Sequence, residues 1–162
     1  MNTASKIISD PTAIDKRISV LARPLVFTNG CFDILHRGHV HYLEQAAKLG
    51  QALVVGINSD ASAKRLGKSK DRPINSLDDR MHIVAALEAV GLVIAFDDDT
   101  PLNLIKRIRP EYLVKGGDWP LDKIVGAKEV LDWGGHVESI PFHHQRSTTD
   151  LINRIRGHDQ TA

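Results

Sequence analysis

Short apolar runs recur at residues 25–28, 52–57, 92–96, 112–114 and 136–140, and the stretches between them carry helical periodicity. Val40, Leu43 and Ala47 fall on one face of a predicted helix, and Leu77, Met81, Val84 and Leu87 on one face of another. Five such runs alternating with helices predict a single α/β, Rossmann-like domain: a five-stranded parallel sheet of order 3-2-1-4-5 with helices on both faces. Three helix starts are marked. Ser76 with Asp79 and Ser147 with Asp150 fit capping boxes, and Thr100 precedes a first-turn proline, Pro101. In folds of this class ligands sit beyond the carboxyl ends of the strands.

The 162 residues suit one domain, read as residues 25–157, with an N-terminal extension at 1–24 and a tail at 158–162. Within the extension, residues 13–22 are weakly amphipathic and predict one helix packed outside the core. No apolar run near the N-terminus resembles a secretion signal or a membrane span, so a cytoplasmic protein without membrane contact is expected. Twenty-one basic and 20 acidic residues give a net charge of +1, which excludes the basic excess of a general nucleic-acid binder. Any phosphate bound is then on a small molecule. The single cysteine, Cys31, excludes an intramolecular disulfide and reads as a small buried hydrophobe rather than a nucleophile.

The chemistry concentrates after the first run, in Asn29-Gly30-Cys31-Phe32-Asp33-Ile34-Leu35-His36-Arg37-Gly38-His39, with a helix beginning at about His39. His36 and His39, three apart at a helix N-terminus, can point to the same side, where exposed amides and the helix dipole favour an anion. Gly38 permits close approach to the backbone. A metal reading of His36, His39 and His41 competes, but no cysteine or carboxylate stands at an obvious spacing to complete it, and no metal site is assigned. Gly67-Lys68-Ser69 matches the end of a Walker loop, yet the position that requires the earlier glycine is Ser62. No G-x-G-x-x-G follows the first strand, which disfavours a dinucleotide enzyme.

Residues 27–33 followed by His36-Arg37-Gly38-His39 resemble the H-x-G-H signature of the cytidylyltransferase-like nucleotidyltransferases. The resemblance extends to Asn58-Ser59-Asp60, Arg72-Pro73-Ile74-Asn75, Asp79-Arg80, Lys115-Gly116-Gly117-Asp118-Trp119 and Ser147-Thr148-Thr149, and covers roughly residues 25–156. Within that superfamily the fuller pattern is similar to the heptose 1-phosphate adenylyltransferases, which are often fused behind a sugar kinase. No kinase is present here, so a stand-alone enzyme served by a separate sugar kinase is expected, in the supply of ADP-heptose for lipopolysaccharide.

The resemblance implies that ATP and a heptose 1-phosphate are the substrates. A phosphate oxygen of the sugar attacks the α-phosphorus of ATP and pyrophosphate leaves, with Mg²⁺ carried mainly by the triphosphate. It implies catalytic roles for His36, His39 and Lys64. Thr28, Asn29, Gly30, Cys31, Phe32, Gly38, Arg72, Arg80, Ser147, Thr148 and Thr149 fall to the nucleotide, and Asp33, Lys115, Gly116, Gly117, Asp118 and Trp119 to the sugar phosphate. Read by position alone, Arg80 reaches phosphate or pairs with Asp78 or Asp79, the Lys64–Arg72 run is a triphosphate loop or a solvated one, and Gly116-Gly117 is a ligand-facing segment or a plain turn. A homo-oligomer is expected. Two rival functions stay open: a cytidylyltransferase acting on glycerol 3-phosphate or a similar alcohol, whose family carries aspartate where Gly117 stands, and a catalytically silent nucleotide- or metal-binding module.

Overall fold

Every one of the five apolar runs is a strand in the computed structural model, which describes residues 2–67, 72–141, 148–155 and 157. In chain order the strands are β1 (Ile7–Ile8), β2 (Leu25–Gly30), β3 (Ala52–Asn58), β4 (Leu92–Phe96), β5 (Tyr112–Gly116) and β6 (His136–Ile140). All pair in parallel, in the order β1-β4-β3-β2-β5-β6. The expected 3-2-1-4-5 order is therefore present in β2 to β6. The sixth strand is a correction: Ile7 and Ile8 pair with Val93 and Ile94 along the free edge of β4. Two residues are too few to show a period, but a buried Ile8 and a covered sheet edge make the pairing favourable.

The helices are α1 (Ile14–Ile18), α2 (Arg37–Ala47), α3 (Asp60–Arg65), α4 (Leu77–Ala85), α5 (Leu102–Ile108), α6 (Ala127–Asp132) and α7 (Thr148–Ile155). Successive strand residues point to opposite faces, so Val26 and Phe27 enter different cores. Val26, Leu53, Val55 and Val93 pack with Leu43 of α2 and Val84 of α4. Phe27, Val54, Leu92 and Ile94 pack on the other face with Ile105 of α5 and Val130 of α6. Ile14 and Ile18 join that second core, so α1 is buried on one side rather than lying outside, and it is shorter than the residues 13–22 expected.

Ser76 caps α4 as predicted: its hydroxyl oxygen accepts from the Asp79 amide at 3.3 Å and the hydroxyl donates to Asp79 Oδ2 at 2.6 Å. Thr100 does not cap α5. Pro101 occupies the cap position, without a side-chain cap bond, and Thr100 is exposed. Ser147 lies outside the described residues. Among the described residues no helix is long and apolar enough to cross a membrane.

Candidate active site

Strands β2 and β5 are neighbours at the centre of the sheet, and their carboxyl ends, Gly30 and Gly116, open on one cleft of about 230 Å³. Residues 29–33 form one wall, Lys115, Gly116 and Trp119 another, and His39, Arg72 and Thr148 complete it. Two larger hollows, about 300 Å³ and 480 Å³, lie under α2 near residues 87–89 and around residues 17–22. They face away from these strand ends and gather none of the motif residues, so the smaller cleft is the candidate site.

Helix α2 starts at Arg37, two residues earlier than expected, with His36 as its extended cap residue. The His36 carbonyl accepts from the amides of His39 at 2.9 Å and Val40 at 3.3 Å. The amides of Arg37 and Gly38 precede any intrahelical acceptor and face the positive end of the dipole. His36 and His39 stack, ring centroids 3.9 Å apart and planes 23° from parallel. Phe32 meets His39 edge-on at 5.4 Å. Burial lowers the pKa of His36 below its ordinary value, so the imidazole is neutral near neutrality, and its buried Nδ1 has no hydrogen-bond partner among the described residues. Phe32 holds φ at 47°, a left-handed conformation that costs about 1 kcal/mol for a non-glycine residue. A Cβ on Gly30 would stand 3.1 Å from the Phe32 ring, a tight contact that the ring would have to shift to relieve.

Three residues expected at the ligands are turned to the scaffold. Asp33 borders the cleft, but its fully buried carboxylate accepts from the amides of Ile74 at 2.8 Å and Asn75 at 3.0 Å and from Arg72 Nε at 3.0 Å. It anchors the loop that brings Arg72 to the cleft. Arg80 pairs with neither Asp78 nor Asp79. It is fully buried and donates to the carbonyls of Cys31, Asn58 and Asn75 and to Asp60. Thr28 is buried, and its hydroxyl bonds Tyr42, which donates onward to the Val114 carbonyl at 3.2 Å. Tyr42 lines the cleft and was missed by the sequence reading, where it sits inconspicuously beside the apolar face of α2; burial pushes its hydroxyl pKa well up.

Lys115 Nζ lies 3.5 Å from the carbonyl and side-chain oxygens of Asn29, bridging β5 and β2. Gly117, at φ 104°, donates to the Ile140 carbonyl at 2.8 Å, and the Trp119 amide donates to Ser139 Oγ at 3.0 Å. The segment is thus both a turn and a wall: the half-exposed Trp119 indole lines the cleft while Asp118 is exposed on the turn and outside the lining. Thr148 Oγ1 donates to the Ile34 carbonyl at 3.2 Å, tying the start of α7 to the loop after β2, and Thr149 is exposed. Cys31 lines the cleft with its thiol 3.8 Å from Asn58 Oδ1, Gly38 is buried in the first turn of α2, and Lys64 is exposed on α3 outside the lining. Among the described residues no three or more His, Cys, Asp or Glu side chains gather as a metal site.

A strand, a phosphate-facing loop and a histidine-bearing helix start are shared by many nucleotide enzymes, but residues 27–154 match one family, described as cytidylyltransferase-like. The chain belongs to the cytidylyltransferase-like family. Within it, the chain is 54% identical over 136 residues to a D-beta-D-heptose 1-phosphate adenylyltransferase of Bordetella bronchiseptica, covering 84% of each chain. It is 48% identical over 155 residues to the bifunctional protein HldE of Geobacter sulfurreducens, covering 96% of this chain and 30% of that one. The chain therefore spans under a third of that bifunctional relative. Among solved structures, a lipopolysaccharide core biosynthesis protein from Thermoplasma volcanium is similar at TM-score 0.60 and 28% identity, over 75% of this chain and 98% of that one. A pantoate-beta-alanine ligase from Francisella tularensis, 13% identical at TM-score 0.62 over 94% of this chain and 77% of that one, is similar in fold alone.

Proposed function

We propose that this cytidylyltransferase-like chain is an adenylyltransferase that transfers AMP from ATP to D-glycero-β-D-manno-heptose 1-phosphate. It thereby yields ADP-heptose for the lipopolysaccharide inner core. The observation that carries the reading is the 54% identity, across 84% of both chains, to a protein named for that substrate and that transfer. The cleft geometry supports it, since His39, Arg72 and Lys115 line one cleft at the start of α2, and the neutral His36, outside the lining, stacks on His39.

An oxygen of the sugar phosphate forms a bond to the α-phosphorus as the bond from that phosphorus to the bridging oxygen breaks, and pyrophosphate departs with the electron pair. The nucleophile is already anionic and needs no strong base. Catalysis then rests on alignment and on donors aimed at charge building on the α-phosphoryl and leaving oxygens. A neutral His36 supplies one ring N–H as such a donor, and His39, stacked on it, supplies the second. Lys64 and Arg72 serve the triphosphate, with Asn29, Gly30, Cys31, Phe32 and Gly38 along its path, Thr148 and Thr149 at the start of α7, and Ser147, outside the described residues, assigned to the same phosphates. Lys115, Gly116, Gly117, Asp118 and Trp119 form the sugar-phosphate side. Mg²⁺ would accompany ATP and supply charge neutralisation for the triphosphate, with no protein cage required to hold it.

The chain acts in the cytoplasm as a homo-oligomer, on heptose 1-phosphate made by a sugar kinase. Incubation with ATP and heptose 1-phosphate, followed by mass analysis, tests the reading. ADP-heptose and pyrophosphate in equal amounts are expected, and ATP left unconsumed beside intact sugar phosphate overturns it.

A further inference from the structure

Arg80 is a fully buried side chain whose charge no solvent reaches. A buried guanidinium is tolerable only when its donors are satisfied, and here they converge on carbonyls from three separate segments. Nη1 donates to the Cys31 carbonyl at 2.6 Å, just beyond β2. Nη2 donates to the Asn58 carbonyl at the end of β3 and to Asp60 Oδ1, both at 2.8 Å. Nε donates to the Asn75 carbonyl at 3.2 Å in the loop before α4. A planar fork reaches all four acceptors at once, which a point-charge ammonium cannot.

We infer that Arg80 is a positioning residue for the phosphoryl transfer, fixing from behind the cleft the peptide that follows β2. In a trans peptide the N–H points opposite to the C=O. With the Cys31 carbonyl drawn to Arg80, the Phe32 N–H is directed away from it, and no hydrogen-bond partner for that amide is found among the described residues. Cys31 and Phe32 border the cleft, and the Phe32 ring packs edge-on against His39. A rotation of this one peptide therefore moves both a cleft-side amide and the ring that supports a catalytic imidazole. Asp60, 43% exposed in its side chain and absent from the cleft lining, holds Arg80 from the far side.

This role rests on the proposed adenylyl transfer, so the parent protein is assayed beside the variants. Arg80→Met, Arg80→Lys and Asp60→Ala are measured for folded fraction by circular dichroism, and for kcat and KM of ATP by pyrophosphate release. Positioning predicts kcat per folded molecule down by about tenfold or more for Arg80→Met, with KM for ATP within about threefold, because misplacement by an ångström is costly to rate. Arg80→Lys recovers only part of the loss, and Asp60→Ala lowers kcat in the same sense and not additively with Arg80→Met. Parental kcat in the folded Arg80 variants overturns the inference in favour of a scaffold role alone. Tighter ATP binding in Asp60→Ala overturns it in favour of a released Arg80 acting as a phosphate ligand. Should the Arg80 variants not fold, Asp60→Ala decides: unchanged kcat overturns positioning. A parent that turns over beside unaffected variants sinks only the role of Arg80, whereas a parent that neither binds ATP nor releases pyrophosphate sinks the proposed function itself.

Discussion

His36 and His39 lie face to face at the start of α2, their ring centroids 3.9 Å apart. Two imidazoles this close favour at most one positive charge, and burial already disfavours protonation of His36. Under the proposed transfer, charge stabilisation by the pair would come from aimed N–H donors, which work best in a site where water is limited.

Replacing either histidine by alanine is expected to lower kcat by about 10² or more while the chain stays folded, the scale of losing one oxyanion-type donor. Because the two act on one transition state, the double variant loses much less than the product of the single losses. Pyrophosphate-release kinetics beside thermal melts check this; folded variants with near-parental turnover contradict it.

The depressed pKa of His36 fixes the sign of a pH effect. The unfolded chain takes up a proton near the ordinary histidine value of about 6.5, before the folded chain does. Stability from this group is whole above that value and is lost as the pH falls from it toward the lower folded pKa. Denaturant unfolding at pH 7.5 and 5.5 shows a decline in the parent that is smaller in His36→Gln. Bound triphosphate reverses the shift, so the His36 resonance titrates higher with ATP than without; an unchanged midpoint contradicts phosphate contact.

Asp33→Asn breaks the pair between a fully buried carboxylate and the nearly buried Arg72. Loss of one partner of such a pair costs about 3 kcal/mol, because the other charge stays unmatched. Urea unfolding reads that loss directly, and KM for ATP rises as the loop at residues 72–75 loosens. A stability change under 0.5 kcal/mol, about the scale of an ordinary surface substitution, contradicts the anchoring role.

The central strands were legible because each is buried on both faces and reads as an unbroken apolar run. The H-x-G-H segment was legible because its chemistry is contiguous. What sequence could not show was long-range pairing of polar groups. Asp78 and Asp79 beside Arg80 suggested a local carboxylate partner, whereas the fold supplies Asp60 and the Cys31 and Asn58 carbonyls from distant segments, with the Asn75 carbonyl five residues back. The resemblance implied that Asp33 faces the sugar phosphate, but backbone amides 41 and 42 residues away donate to its carboxylate. Thr100-Pro101 failed as a cap since the proline itself takes the cap position.

Lys115→Ala is expected to raise KM for the sugar phosphate by about tenfold, the equivalent of one charge-assisted hydrogen bond, with KM for ATP within about threefold. Asp118→Ala acts in the same direction. A rise confined to ATP assigns the β5 end to the nucleotide instead.

Adding a chelator to the parent is expected to stop turnover without lowering its melting temperature, and excess Mg²⁺ restores it, as follows when the ion rides on ATP rather than in a protein cage. A fall in melting temperature on chelation points to a structural metal.

The most direct measurement is kcat/KM by pyrophosphate release for ATP and CTP, each paired with heptose 1-phosphate and with glycerol 3-phosphate. The account predicts that ATP with heptose 1-phosphate exceeds every other pairing by about a hundredfold, the discrimination available when a buried polar site is matched by only one substrate. Preference for CTP with glycerol 3-phosphate, or no release with any pairing, contradicts it.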